Sequence, residues 1–256
     1  MQQVRRWRPS FHCTLAVSIF VTVVLFASVT AIKFDVNGYE TTCFFEDLFD
    51  GYKFNKATFP QCTKVIMNKE KLGEVRTIRL CEALQRPESH VQELYINKEP
   101  IISEKSISAL AAAIPASPSL RVLALNDCGL TDHHVDVIAR LGLHQPSQLE
   151  SLILENNKIG PAGAEVFAKA LGPPLHFVSR LHTLQLHGNA IGNDGAAALS
   201  RMLSSSRVSV KHIDLSQNGI GALGAISLKR AILENKDLAK MGVEGTDILR
   251  PFLRGQ

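Results

Sequence analysis

Glu155, His187 and Ser216 are an acid, a base and a hydroxyl, the three side-chain types that together can activate a nucleophile for acyl transfer. Such a set works only when the three stand in hydrogen-bonding line, with donors placed to receive the oxyanion. They lie 32 and 29 residues apart (187 − 155, 216 − 187), so no local element joins them. His133 and His134 form the other suggestive pair, but neighbours on a helix point in different directions and make poor joint metal ligands. They read as surface histidines. No G-x-S-x-G, Walker loop, H-E-x-x-H or paired C-x-x-C occurs. Of five cysteines, Cys13 sits in an apolar segment, leaving Cys43, Cys62, Cys81 and Cys128. Cys43 and Cys62 could close a small loop in an oxidising compartment.

Only a repeating architecture could bring residues so spaced together, and the chain has one. From Val91 it reads VQELYINKEPI, LRVLALNDCGL, LESLILENNKI, LHTLQLHGNAI, VKHIDLSQNGI and LAKMGVEGTDI. These windows start at Val91, Leu120, Leu149, Leu181, Val210 and Leu238, in steps of 29, 29, 32, 29 and 28 residues. Positions four and six share one side of a short strand and point into a core. Position nine turns the chain, and a buried Asn there satisfies backbone groups that the turn leaves unpaired. Asn157, Asn189 and Asn218 fill that place, with Glu99, Cys128 and Thr246 replacing Asn in the other windows. Between strands the period becomes helical: Val166, Phe167 and Leu171, then Leu199 and Leu203, then Leu228 and Ile232 give inward stripes. Ser106 to Ile114 and Val135 to Leu141 are less regular copies. Gly163, Gly195 and Gly224 share one slot, where a small residue lets the helix start close against the strand layer. The extra residues of the third unit fall within 172–180 and read as a loop excursion.

This pattern resembles the ribonuclease-inhibitor-type subclass of leucine-rich repeats, over about residues 91 to 248. The resemblance implies an α/β solenoid: a short horseshoe with parallel strands on the concave face, helices on the convex face, and protein recognition on the concave side. The subclass is mostly intracellular, which stands in tension with the N-terminal segment described below.

Within such a solenoid, position seven forms a row of Asn97, Asn126, Glu155, His187, Ser216 and Glu244, with strands about 4.8 Å apart. Glu155, His187 and Ser216 would then stand in line, but an open face supplies no oxyanion hole and leaves the serine wet. The row reads instead as a polar binding face. Tyr95, Val122, Ala124 and Ile153 make an apolar end of the arc, and Gln185, His187, His212 and Asp214 a polar end. The expected contact residues for a partner are Tyr95, Val122, Ile153, Glu155, Gln185, His187, His212 and Asp214. No catalytic residue, metal or cofactor is expected, and the chain does not read as an enzyme.

The first 34 residues contain no acid, and Arg5, Arg6 and Arg8 precede an apolar run within 11–32. That arrangement predicts a signal peptide or signal anchor over 1–31, with cleavage after Ala31, or a membrane-spanning segment if uncleaved. A mitochondrial presequence fits less well, because the run is continuously apolar rather than amphipathic. Without the three arginines, 25 basic residues face 24 acidic ones, which offers nothing to nucleic acid. None of the eleven asparagines begins an Asn-X-Ser/Thr sequon.

Residues 32–90 read as an N-terminal capping region, with turns at Asn37-Gly38 and Asp50-Gly51 and a strand with an entry helix in GEVRTIRLCEAL. Lys33 to Asp47 also resembles the start of the GOLD domain of transmembrane cargo receptors. With 91–256 as about six repeats, the expectation is a protein-binding module in the secretory pathway, secreted or held at a membrane. The alternative is an intracellular or organellar scaffold anchored by its apolar segment. A GTPase activator resembling the Ran regulator would need an acidic tail, whereas this sequence reads DILRPFLRGQ at 247–256.

Overall fold

The computed structural model describes residues 33–34, 41–51, 53–69, 72–99, 103–173, 179–235, 237–238 and 240–242. The signal or anchor segment of 1–31, the Asn37-Gly38 turn, Glu244 and Thr246 lie outside these. Among the described residues, no helix is long and apolar enough to cross a membrane.

Strand and helix alternate along the chain. A short β1 (Lys33–Phe34) is followed by β2 (Thr41–Phe44), α1 (Phe45–Leu48) and a hairpin of β3 (Phe49–Asp50) and β4 (Lys53–Phe54). Then come β5 (Lys64–Asn68), α2 (Gly73–Leu84), β6 (Glu93–Asn97), α3 (Glu104–Ala116), β7 (Val122–Asn126) and α4 (Asp132–Ile138), which runs on as a wider turn over Ala139–Leu143. The rest is β8 (Ser151–Ile153), α5 (Pro161–Leu171), β9 (Thr183–Gln185), α6 (Gly192–Leu203), β10 (His212–Asp214), α7 (Ala222–Glu234) and β11 (Lys240–Gly242). One sheet takes the strands in the order β1-β2-β5-β6-β7-β8-β9-β10-β11, parallel from β2 onward, with β1 antiparallel at its edge.

The window pattern sets the register. Leu94, Leu123, Leu152, Leu184 and Ile213, all at position four, are paired strand to strand and fully or almost fully buried. Position six follows suit with Ile96, Leu125, Leu154, Leu186 and Leu215. Each such side chain contributes about 1.5–3 kcal/mol of apolar burial. Position nine works as its chemistry requires. Asn157 Oδ1 accepts from Cys128 and Leu130 N–H, and its Nδ2 donates to Leu125 and Glu155 carbonyls, all within 2.8–3.1 Å. Asn218 repeats this with Ile191 N–H and the Leu186 and Ser216 carbonyls. Cys128 keeps only the donor half, its Sγ donating to the Ile96 and Asn126 carbonyls at 3.2 and 3.3 Å. Glu99 keeps the acceptor half, taking the Leu72 N–H at 3.0 Å.

The ladder begins well before Val91. β5 pairs with β6 residue for residue, from Lys64 opposite Glu93 to Asn68 opposite Asn97, and β2 pairs in parallel with β5. GEVRTIRLCEAL is a single helix, α2, with no strand in it. Thr41–Phe44, part of the stretch that resembles a GOLD domain, is a strand of this same sheet. The Asp50-Gly51 turn closes the β3–β4 hairpin, with Gly51 at φ +58°. Cys43 and Cys62, 19 positions apart in sequence, form a disulfide across this region, with Cα atoms 5.8 Å apart.

The shared glycines bring helices together as well as seating them on the sheet. A Cβ on Gly195 would stand 2.5 Å from Ile191 Cγ2 in its own turn and 3.0 Å from Ala164 Cβ on α5. Side chains at the start of one helix also cap the next: Asp132 Oδ1 accepts from Gly160 N–H, and Asn193 Oδ1 from Gly221 and Gly224 N–H.

Candidate functional site: the concave face

Side chains at positions three, five and seven of each strand point away from the helices and form three rows across the sheet. Position five runs Ile66, Tyr95, Ala124, Ile153, Gln185, Asp214 and Gly242, each in register with the next. Tyr95 and Ile153 therefore flank Ala124, which is fully buried rather than exposed. Val122, in the position-three row, is half-buried beside them. Together with Ile66 they form an apolar patch on the N-terminal half of the face. Ile66 and Lys64 join it because β5 is a repeat strand, and their signal is CTKVIMNKE at 62–70, set 29 residues before VQELYINKE.

Tyr95 is held in place. Its hydroxyl donates to Glu93 Oε2 at 3.2 Å, Glu93 pairs with Lys64 at 2.7 Å, and Lys64 Nζ lies 4.8 Å from the ring centroid. Burial, then the Glu93 charge, raise the Tyr95 pKa, so the phenol stays a neutral donor. A tethered aromatic ring loses less freedom when a partner covers it.

The polar half is arranged differently. Gln185 and Asp214 are in-register neighbours, His212 lies opposite Thr183, and these line a small hollow of about 80 Å³ with Ile213 and Gly242. Asp214 Oδ1 accepts the Ser216 N–H at 2.8 Å. Glu155 is set by its own N–H, which donates to Asn126 Oδ1 at 2.9 Å. Ser216 is only 5% exposed, so it is not the wet serine that the row pattern implied. No hydrogen bond joins the Glu155 and His187 side chains among the described residues. The three residues therefore share a neighbourhood without forming a relay.

Elsewhere, His134 is no simple surface histidine. Its Nδ1 accepts the Thr131 N–H at 3.0 Å at the start of α4, and burial, helped by His133, lowers its pKa, which keeps the ring neutral. His133 stays exposed, 3.6 Å from Glu104. The two free thiols among the described residues are buried, and burial pushes Cys81 up to about 12 and Cys128 to about 11, which makes both poor nucleophiles.

A family model described as leucine-rich repeat matches residues 147–168, 180–200 and 208–229, the stretches that hold β8 to β10 and most of α5 to α7. The fold is that of a leucine-rich-repeat solenoid. No curated protein matches the sequence. Among solved structures, it is similar to one titled "Leiomodin-1 Actin-Binding Site 2 (ABS2)", with a TM-score of 0.49 and 18% identity over 64% of this chain and 89% of that one. The leucine-rich repeats matched by the family model are the regular ones. The more divergent units, from β5 to α4, join the same ladder through backbone pairing.

Proposed function

We propose that this solenoid is a non-enzymatic protein-binding module that holds a partner protein or peptide on its concave face. The observation that carries this reading is the half-exposed patch of Ile66, Tyr95, Val122 and Ile153, fixed on a rigid sheet and bordered by Glu155, Gln185, His187, His212 and Asp214. Apolar anchors ringed by polar groups are the anatomy of a protein contact. We assign the repeats to the ribonuclease-inhibitor-like subclass on their period near 29 residues and full convex helices. Delivery to the secretory pathway, secreted or membrane-held, is supported by the Arg-then-apolar start and by the Cys43–Cys62 disulfide. An intracellular or organellar scaffold is the second reading, favoured by the absence of any sequon.

The test begins with a partner captured by crosslinking and then purified. Tyr95→Ala, Ile153→Ala, Glu155→Ala and His187→Ala are measured against it by calorimetry. Tyr95→Ala is expected to cost about 2 kcal/mol, roughly a 30-fold loss of affinity. Unchanged affinity in all four variants sinks the concave-face reading.

A further inference from the structure

From α3 onward each convex helix packs against a long helix before it, whereas among the described residues α2 has only the four-residue α1, whose Phe45 ring lies 5.3 Å from the Arg76 guanidinium. The sheet strand one unit earlier than β5, β2, is followed by the four-residue α1 and the short β3–β4 hairpin in place of a long helix, and β4 lies against α2. The substitution leaves a groove of about 470 Å³ between hairpin and helix, lined by Lys53, Phe54, Lys56, Arg79, Glu82 and Arg86. Four cations face one carboxylate there, in a protein whose charges otherwise nearly balance. Phe54 is fixed between Phe49 and Phe59, with ring centroids 5.3 Å away on either side. Val75, 49% exposed, lies on the same stripe of α2 as Arg79 and Glu82, and Arg86 follows just beyond the helix end. Lys53, Phe54 and Lys56 belong to the loop closed by the Cys43–Cys62 disulfide, so one wall of the groove is covalently braced.

We propose that this groove is a second docking site, separate from the concave face, and that it takes an acidic peptide segment of a partner that also carries apolar side chains. The cations select the charge, and Phe54 and Val75 select against a polyanion with nothing apolar to offer. The segment occupies the place that a preceding helix fills at every later repeat.

The test measures fluorescence anisotropy of a labelled peptide of alternating glutamate and leucine on the whole chain. A matching glutamine–leucine peptide and a heparin oligosaccharide serve as comparators. Binding of the acidic peptide alone is expected, weakened on the order of tenfold by the double variant R79E/R86E and by raised salt. Phe54→Ala weakens it as well, whereas Glu82→Gln, which removes the one opposing charge, tightens it a few-fold. All these residues except Phe54 are surface side chains, so circular dichroism of R79E/R86E and E82Q should match the parent. Equal binding of the glutamine peptide, indifference to R79E/R86E, or displacement by heparin at lower concentration than by the acidic peptide overturns the proposal.

Discussion

Asn189 concentrates a repeat's stability in one side chain. Its Oδ1 accepts the Ile159 N–H at 3.0 Å and its Nδ2 donates to the Leu154 and Leu186 carbonyls, both at 2.9 Å. Asn189→Ala removes the partner of the buried Ile159 N–H and of the Leu154 carbonyl, each worth about 1–3 kcal/mol when orphaned, while the Leu186 carbonyl keeps Asn218 Nδ2. Neighbouring backbone can reclaim some of this, so a net loss of about 3 kcal/mol is expected, read from the urea midpoint at constant m-value. Asn189→Cys should recover part of it, because Cys128 already supplies the donor half of this role. These positions were legible in the sequence because the chemistry of a buried turn admits few residue types. The tethering of Tyr95 by Glu93 and Lys64 was not, since Lys64 belongs to a strand that carries no leucine.

At the scale of the element, legibility followed the leucines. β6 to β10 could be placed from positions four and six alone. β5 has Val65 and Met67 there, with Cys62 at position one, so its unit reads as generic until backbone pairing with β6 reveals it. Another regularity was hidden altogether: position eight is left-handed in every turn from β5 to β10. Lys69, Lys98, Asp127, Asn156 and Gln217 all lie at φ between 54° and 59°, and Gly188 at 67°. Residues so different share no propensity for that region. What holds them is the next repeat, whose carbonyls accept the Lys98, Asp127 and Asn156 N–H groups at 2.8–3.0 Å. The helix-to-helix seam is equally unforgiving. Gly195→Val would place a branched side chain where Ile191, Ala164 and Pro161 already lie within 3.2 Å of a Cβ. Overpacking of this kind costs about 1–3 kcal/mol, more than the ~0.5–1 kcal/mol of helix propensity regained on replacing glycine. Thermal denaturation should show a lower midpoint for Gly195→Val. Gly221→Ala, whose nearest neighbour is Asn193 Oδ1 at 3.4 Å, should leave it almost unmoved.

For the whole molecule, the proposed delivery to the secretory pathway can be read at Ser204. Ser204 sits at the end of α6 with a half-buried side chain, and Ser204→Asn creates an Asn-Ser-Ser sequon with Ser205 and Ser206. In a secretory-pathway protein this variant should migrate more slowly on a gel, and glycosidase should reverse the shift. A well-expressed variant with no shift would favour the intracellular scaffold. The hydrogen bonds of position nine have a direction: each side chain reaches back to complete the turn of the repeat before it, Cys128 to Ile96, Asn157 to Leu125, Asn189 to Leu154 and Asn218 to Leu186. A ribosome releases the chain in the same direction, so every turn must wait for its successor to be synthesised before its polar groups are satisfied. The nascent solenoid therefore grows with its newest unit always unfinished, sealed behind and open in front.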